Sequence, residues 1–125
     1  MKILVVDDET DVQVLFEQRF RKEIRNNEVN FAFAFSGEEA LAYLNRNDQQ
    51  AVLILSDINM PGMSGLELLD RIKKKYVTPP PTVMMITAYG DAENYNTAKL
   101  LGADDFLTKP VDFATLKEKL KTFEQ

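Results

Sequence analysis

Three short runs of this chain, residues 3–6, 51–55 and 83–86, contain no polar residue at all. A strand with one wet face alternates polar and apolar positions, so an unbroken apolar run of this length belongs to a strand covered on both sides. Covering both sides of a sheet takes helices above and below it, which is the habit of parallel α/β folds. Two further runs, 29–34 and 106–107, complete a set of five strands.

Helical patterns fill the gaps. Val12, Phe16, Phe20 and Ile24 recur every four residues with Leu15 on the same stripe, predicting one helix over 12–24. Ser36 and Glu39 have the spacing of a capping box opening a second helix through Ala40, Leu41 and Leu44. Ser64 and Glu67 repeat that signature before Leu66, Leu69 and Ile72. A fourth helix begins near Asp91 and stops at Gly102, the place of a C-terminal glycine cap. Asp112 N-caps a fifth that carries Leu116, Leu120 and Phe123. Thr78-Pro79-Pro80-Pro81-Thr82 reads as a stiff surface connection, because one more strand and helix follow it. Five β-α units with right-handed crossovers imply an α/β three-layer sandwich, a (βα)5 arrangement. All 125 residues (1–125) are expected in this one domain, a size that buries roughly two-thirds of the unfolded surface.

Composition narrows the chemistry. There is no Cys and no His, so disulfides, thiol nucleophiles, imidazole bases and zinc sites are excluded. What is left is carboxylates, Lys, hydroxyls and backbone groups, a set suited to a hard cation such as Mg²⁺, or Mn²⁺. Fifteen basic against twenty acidic residues gives a net charge of −5, which opposes direct nucleic-acid binding. The basic groups at Arg19, Arg21, Lys22 and Arg25, and at Lys73, Lys74 and Lys75, fall in helical patterns and read as solvated faces. The opening apolar run is too short for a signal peptide, and no run reaches membrane-spanning length, so a soluble cytoplasmic protein is expected.

Ligands of open parallel sheets bind beyond the carboxyl ends of the strands. Asp7, Asp8 and Glu9 follow the first predicted strand; Ser56, Asp57 and Asn59 follow the third. The fourth ends at Thr87 and the fifth leads to Lys109. Singly, each has an ordinary reading: acids at a helix start, a turn before Pro61 and Gly62, a strand threonine, a loop lysine. Together they place Asp7, Asp8 and Asp57 on one rim with a hydroxyl and an ammonium. Like charges about 4 Å apart repel by about 4 kcal/mol at an effective dielectric near 20, so such a cluster points to a bound cation or to chemistry.

On these residues the chain resembles the receiver domains of two-component response regulators, the family of the single-domain chemotaxis regulator. The likeness rests on Ile3-Leu4-Val5-Val6-Asp7-Asp8-Glu9, Asp57-Ile58-Asn59-Met60-Pro61-Gly62-Met63-Ser64-Gly65, Thr87-Ala88 and Gly102-Ala103-Asp104-Asp105-Phe106-Leu107-Thr108-Lys109-Pro110. It implies a flavodoxin-like sheet of order 2-1-3-4-5. It also implies Asp57 as phosphoacceptor from a phosphohistidine, with Mg²⁺ held by Asp8, Asp57 and the Asn59 backbone carbonyl and, through water, Asp7. Lys109 would pair with Asp57 and then with the phosphoryl oxygens. Thr87 and Phe106 would be the moving switch, Ala88 a small residue leaving the phosphate accessible, and Lys109-Pro110 a cis peptide. Phe106, lacking a hydroxyl, would make the switch one-sided. Asn59 and Tyr89 would tune dephosphorylation, Tyr89 by shielding the acyl phosphate from water. The resemblance further implies a sensor histidine kinase or histidine phosphotransfer protein as partner, docking on the first helix and nearby loops. A downstream protein or fused output domain would engage the fourth helix, fifth strand and fifth helix, about 92–101, 106–108 and 113–123. Monomers, or dimers that form on phosphorylation, fit equally, as do a stand-alone regulator and the receiver part of a longer chain.

Rival readings fare worse. A haloacid dehalogenase-like phosphatase needs a second acid two residues beyond the nucleophile, where Asn59 stands. A flavin mononucleotide site needs hydroxyls and amides where Asp7, Asp8 and Glu9 stand, and no glycine-rich phosphate loop occurs. The alternative that survives is a degenerate receiver acting as a binding module independent of phosphorylation. No turnover of an external substrate is expected.

Overall fold

A computed structural model describes residues 1–46, 53–76 and 81–123. In it five strands, β1 (Lys2–Val6), β2 (Asn30–Ala34), β3 (Leu53–Asp57), β4 (Thr82–Thr87) and β5 (Asp105–Thr108), pair in parallel in the order β2-β1-β3-β4-β5. Among the described residues six helices accompany them: α1 (Asp11–Arg19), α2 (Arg21–Arg25), α3 (Gly37–Arg46), α4 (Gly65–Lys75) and α5 (Ala92–Leu100) between strands, and α6 (Phe113–Phe123) after β5. Ala51 and Val52 of the predicted third strand, and residues 78–80 of the predicted proline connection, lie outside the described residues.

The pleat explains why the central strands are apolar throughout. Leu4, Val6, Ile54, Val83 and Met85 point to one core with Ala40 and Leu44 of α3, Leu68, Leu69 and Ile72 of α4, and Ala98 of α5. Their neighbours Ile3, Val5, Leu53, Leu55, Met84 and Ile86 point to the other, against Phe16, Phe20 and, from α6, Leu116 and Leu120. That second core holds a run of rings. Phe113 at the start of α6 meets Phe16 edge-on at 5.1 Å, and Phe20 meets Phe31 at 5.0 Å.

The predicted first helix is corrected in one respect. It divides at Phe20, whose φ of −107° and ψ of 19° lie off the helical values. The Phe20 amide still donates to the Phe16 carbonyl and the Ile24 amide to that of Phe20, both at 2.9 Å, so α2 continues α1 through a slackened turn. Leu15, predicted on the buried stripe, is 40% exposed, because the buried face of α1 is narrow and holds only Phe16 fully.

The caps form at the predicted places. Ser36 Oγ accepts from the Glu39 amide at 3.0 Å, while Glu39 reaches back to the Phe35 amide at 3.2 Å. Ser64 accepts from the Glu67 amide at 3.2 Å, but the Glu67 carboxylate turns to Arg71 instead of closing the box. Asp91 and Asp112 cap α5 and α6 through the Asn94 and Ala114 amides. Gly102, at φ 101°, ends the α5 region in the left-handed conformation that glycine adopts without cost.

Candidate functional site

The first three strands run side by side, so their carboxyl ends meet at one rim. Val6 pairs with Ala34 on one side and Ser56 on the other. Asp57, the last residue of β3, faces Ile86, one residue before Thr87 ends β4. In turn Thr87 pairs with Thr108, the residue before Lys109. Sheet register therefore brings Asp7, Asp8, Asp57, Thr87 and Lys109 together, as expected from the sequence.

Asp57 is buried, at 3% exposure, and both carboxylate oxygens are engaged. Oδ1 accepts from the Ile58 amide at 2.8 Å, and Oδ2 accepts from Lys109 Nζ at 2.7 Å. Asp7 is also buried, with Oδ1 taking the Glu9 amide at 2.9 Å, while Asp8 is exposed. Each of Asp7, Asp8 and Asp57 offers a carboxylate oxygen within 4.8 Å of the others. Burial pushes the Asp7 carboxyl above its ordinary range; the Glu9 amide opposes that and the charge of Asp57 adds to it. For Lys109 burial works against the charge, but the hydrogen bond to Asp57 and the charges of Asp57, Asp7 and Glu9 outweigh it and hold the ammonium above its usual value. Three hard oxygens converge with an excess of negative charge, the donor set that Mg²⁺ takes.

The backbone around the site is tightly built. Ser56 Oγ donates to the Asp57 carbonyl at 2.9 Å. The Gly65 amide donates to the Ile58 carbonyl at 2.7 Å, and a Cβ on Gly65 would lie 1.9 Å from the Asp57 carbonyl oxygen. Only glycine lets α4 begin this close to the Asp57 backbone. In the sequence Ser64 reads as a cap, while Gly65 closes the Asp57–Gly65 motif with no contact assigned to it.

The family model of the response regulator receiver domain matches residues 3–121. The chain belongs to that family. Chemotaxis protein CheY-3 of Vibrio cholerae is 36% identical over the whole of this receiver and 93% of its own length. Sporulation initiation phosphotransferase F of Bacillus subtilis is 32% identical over 98% of this chain and 92% of its own. The chain spans about half, 51%, of the response regulator RppA of Synechocystis and 25% of PilR of Pseudomonas aeruginosa. Among solved structures, a receiver domain protein from Clostridium thermocellum superposes with a TM-score of 0.84 at 30% identity, covering 98% of this chain and 92% of that one.

The other receiver positions fall around the same rim. Asn59 is exposed in the loop after β3, two residues beyond Asp57. Ala88 and Tyr89 follow β4, both exposed, Tyr89 at 90%. The Lys109-Pro110 peptide is cis. Thr87 Oγ1 donates to the Leu107 carbonyl at 3.4 Å, a long bond for a hydroxyl. Phe106 is half-buried and packs on Tyr95 of α5, a residue that sequence reading missed because it belongs to no motif. A groove of about 940 Å³ runs from Asp7, Ala88 and Lys109 down to Arg19, floored by Val12, Leu15 and Phe113. It explains the exposure of Leu15. Arg19 is exposed, as expected of the basic face, and its guanidinium lies over the Phe113 ring at 5.6 Å.

Proposed function

We propose that this receiver, residues 1–125 as one domain, is a phosphorylation-activated switch whose phosphoacceptor is Asp57. The observation that carries the reading is the Lys109–Asp57 contact at 2.7 Å beside the clustered oxygens of Asp7 and Asp8. An Asp57 oxygen attacks the phosphorus of a phosphohistidine on a sensor kinase or phosphotransfer protein. The O–P bond forms, the P–N bond breaks, and the imidazole nitrogen leaves with the electron pair and is protonated from solvent. Lys109 is already at the carboxylate and neutralises charge on the phosphoryl oxygens, which is most of what a protein contributes to phosphoryl transfer. Asp7, Asp8, Asp57 and the Asn59 carbonyl would hold Mg²⁺, or Mn²⁺, and the ion would supply further charge neutralisation. The partner docks over the groove between α1 and the β5–α6 loop, and Ala88 leaves the approach open. No external substrate is turned over.

The phosphoryl group adds roughly −1.5 to −2 of charge beside Thr87. Thr87 exchanges its long bond to the Leu107 carbonyl for one to a phosphoryl oxygen, and Phe106 shifts with it. The change reaches a downstream protein or a fused domain through α5, β5 and α6. Incubation with Mg²⁺ and acetyl phosphate tests the reading. Intact-mass analysis should show a gain of one phosphoryl group, absent in Asp57→Asn. No gain in the native protein would overturn the reading and favour a degenerate binding module.

A further inference from the structure

The rings of Phe106 and Tyr95 meet with centroids 4.3 Å apart and planes tilted by 40°, closer than the pairs of the phenylalanine cluster on the other face. Little else anchors α5. Ala98 is its one buried residue, and the turn before it passes through Gly90 at φ 82°, where a Cβ would find nothing within 4 Å. Beside the ring pair lies a hollow of about 360 Å³, lined by Thr87, Ala88, Gly90, Tyr95 and Thr108 among others. Leu107 points to the α1 and α6 side of the sheet, so Phe106 and Thr108, one residue to either side, point to the α5 side, where this hollow opens.

Two places for one ring are thus adjacent, one against Tyr95 and one beside Thr87. We infer that Tyr95 is a positioning residue of the switch, holding Phe106 against α5 while Asp57 is unmodified and losing that ring to the hollow when Thr87 moves. The inference rests on Asp57 phosphorylation as proposed above. It makes α5 the helix that receives the signal first, since Phe106 is the side chain tying its outer turn to β5. Linkage then works in both directions: whatever weakens the Tyr95–Phe106 contact favours the phosphorylated form by the same factor.

The test uses the whole chain with 3-fluorotyrosine at its four tyrosines, the Tyr95 resonance being assigned as the one missing from Tyr95→Phe. Acetyl phosphate and Mg²⁺ are added, and mass and ¹⁹F spectra are followed together. The Tyr95 resonance should move in proportion to the phosphorylated fraction and stay still in Asp57→Asn. Tyr95→Ala should bind beryllium fluoride, a phosphoryl mimic, roughly two- to tenfold more tightly, the equivalent of one aromatic pair, whereas Tyr95→Phe, which keeps the ring, should match the native protein. A Tyr95 resonance that stays put while Asp57 carries the phosphoryl group, or unchanged mimic affinity in Tyr95→Ala, would overturn the inference alone. No mass gain would overturn the Asp57 reading, and the inference with it.

Discussion

Lys109 Nζ reaches Asp57 Oδ2 at 2.7 Å across 52 residues of sequence, and it does so at the most deeply buried carboxylate of the cluster. Removing the ammonium leaves that carboxylate buried with only the Ile58 amide. Lys109→Met should therefore lose about 1–3 kcal/mol of stability, the lower part of the range because Lys109 is itself 39% exposed. Acceptance of the phosphoryl group from acetyl phosphate should slow on the order of a hundredfold. Urea denaturation and intact-mass kinetics check the two effects. Adding Asp57→Asn should recover most of the stability, since no unpaired charge is then buried.

Gly65→Ala should be among the most damaging changes of a single methyl group. The added carbon would sit 1.9 Å from the Asp57 carbonyl oxygen, so either α4 or the end of β3 must move. A loss of about 3 kcal/mol in urea denaturation is expected, with slower labelling of Asp57. Native stability together with native labelling would show that the helix start adapts freely.

Asp8 is the exposed member of the carboxylate cluster, so its loss should weaken a bound cation without disturbing the fold. Asp8→Asn should raise the Mg²⁺ dissociation constant by about tenfold or more in calorimetric titration. Its unfolding midpoint without Mg²⁺ should hold or rise, because one of three mutually repelling charges is gone.

Acid should act through Glu23 of α2. Its Oε2 pairs with Lys117 of α6 at 2.9 Å, while its Oε1 is buried with no hydrogen-bond partner among the described residues. The hydrogen bond from Lys117 holds the carboxyl below its ordinary value of 4.5. A lowered value means that the ionised form stabilises the fold; that contribution is present above pH 4.5 and disappears as pH falls through the folded-state value. Glu23→Gln should cost under about 1 kcal/mol at pH 7, as both partners are partly exposed, and the difference from native should close as pH falls below the folded-state value.

Tyr89 stands at the mouth of the site with its ring in solvent. Tyr89→Ala should shorten the lifetime of the Asp57 phosphate severalfold while leaving its formation from acetyl phosphate intact. Equal lifetimes would sink its shielding role.

Much of this was legible beforehand, and for identifiable reasons. Unbroken apolar runs at 3–6 and 83–86 announce strands covered on both faces, and Ser36, Ser64, Asp91 and Asp112 announce helix starts through local hydrogen bonds that need only a few neighbouring residues. The acids and Lys109 were readable as one site because a parallel sheet sends every carboxyl end to the same rim. The break at Phe20 and the exposure of Leu15 were not readable. Both depend on how wide a face α1 presents to the phenylalanine cluster, which is set by residues far away in sequence.

Residue types and spacing were thus enough to indicate a five-stranded parallel α/β fold with Asp7, Asp8, Asp57, Thr87 and Lys109 at one rim, and the resemblance of its motifs pointed to a receiver. Tertiary structure alone decided which of these groups are buried, that Lys109 already holds Asp57, that Gly65 packs directly against the Asp57 carbonyl, and that Phe106 rests on Tyr95. Periodicity and caps are local properties with short-range causes. Burial and side-chain contact between distant elements depend on how the layers close on one another, which no local pattern records.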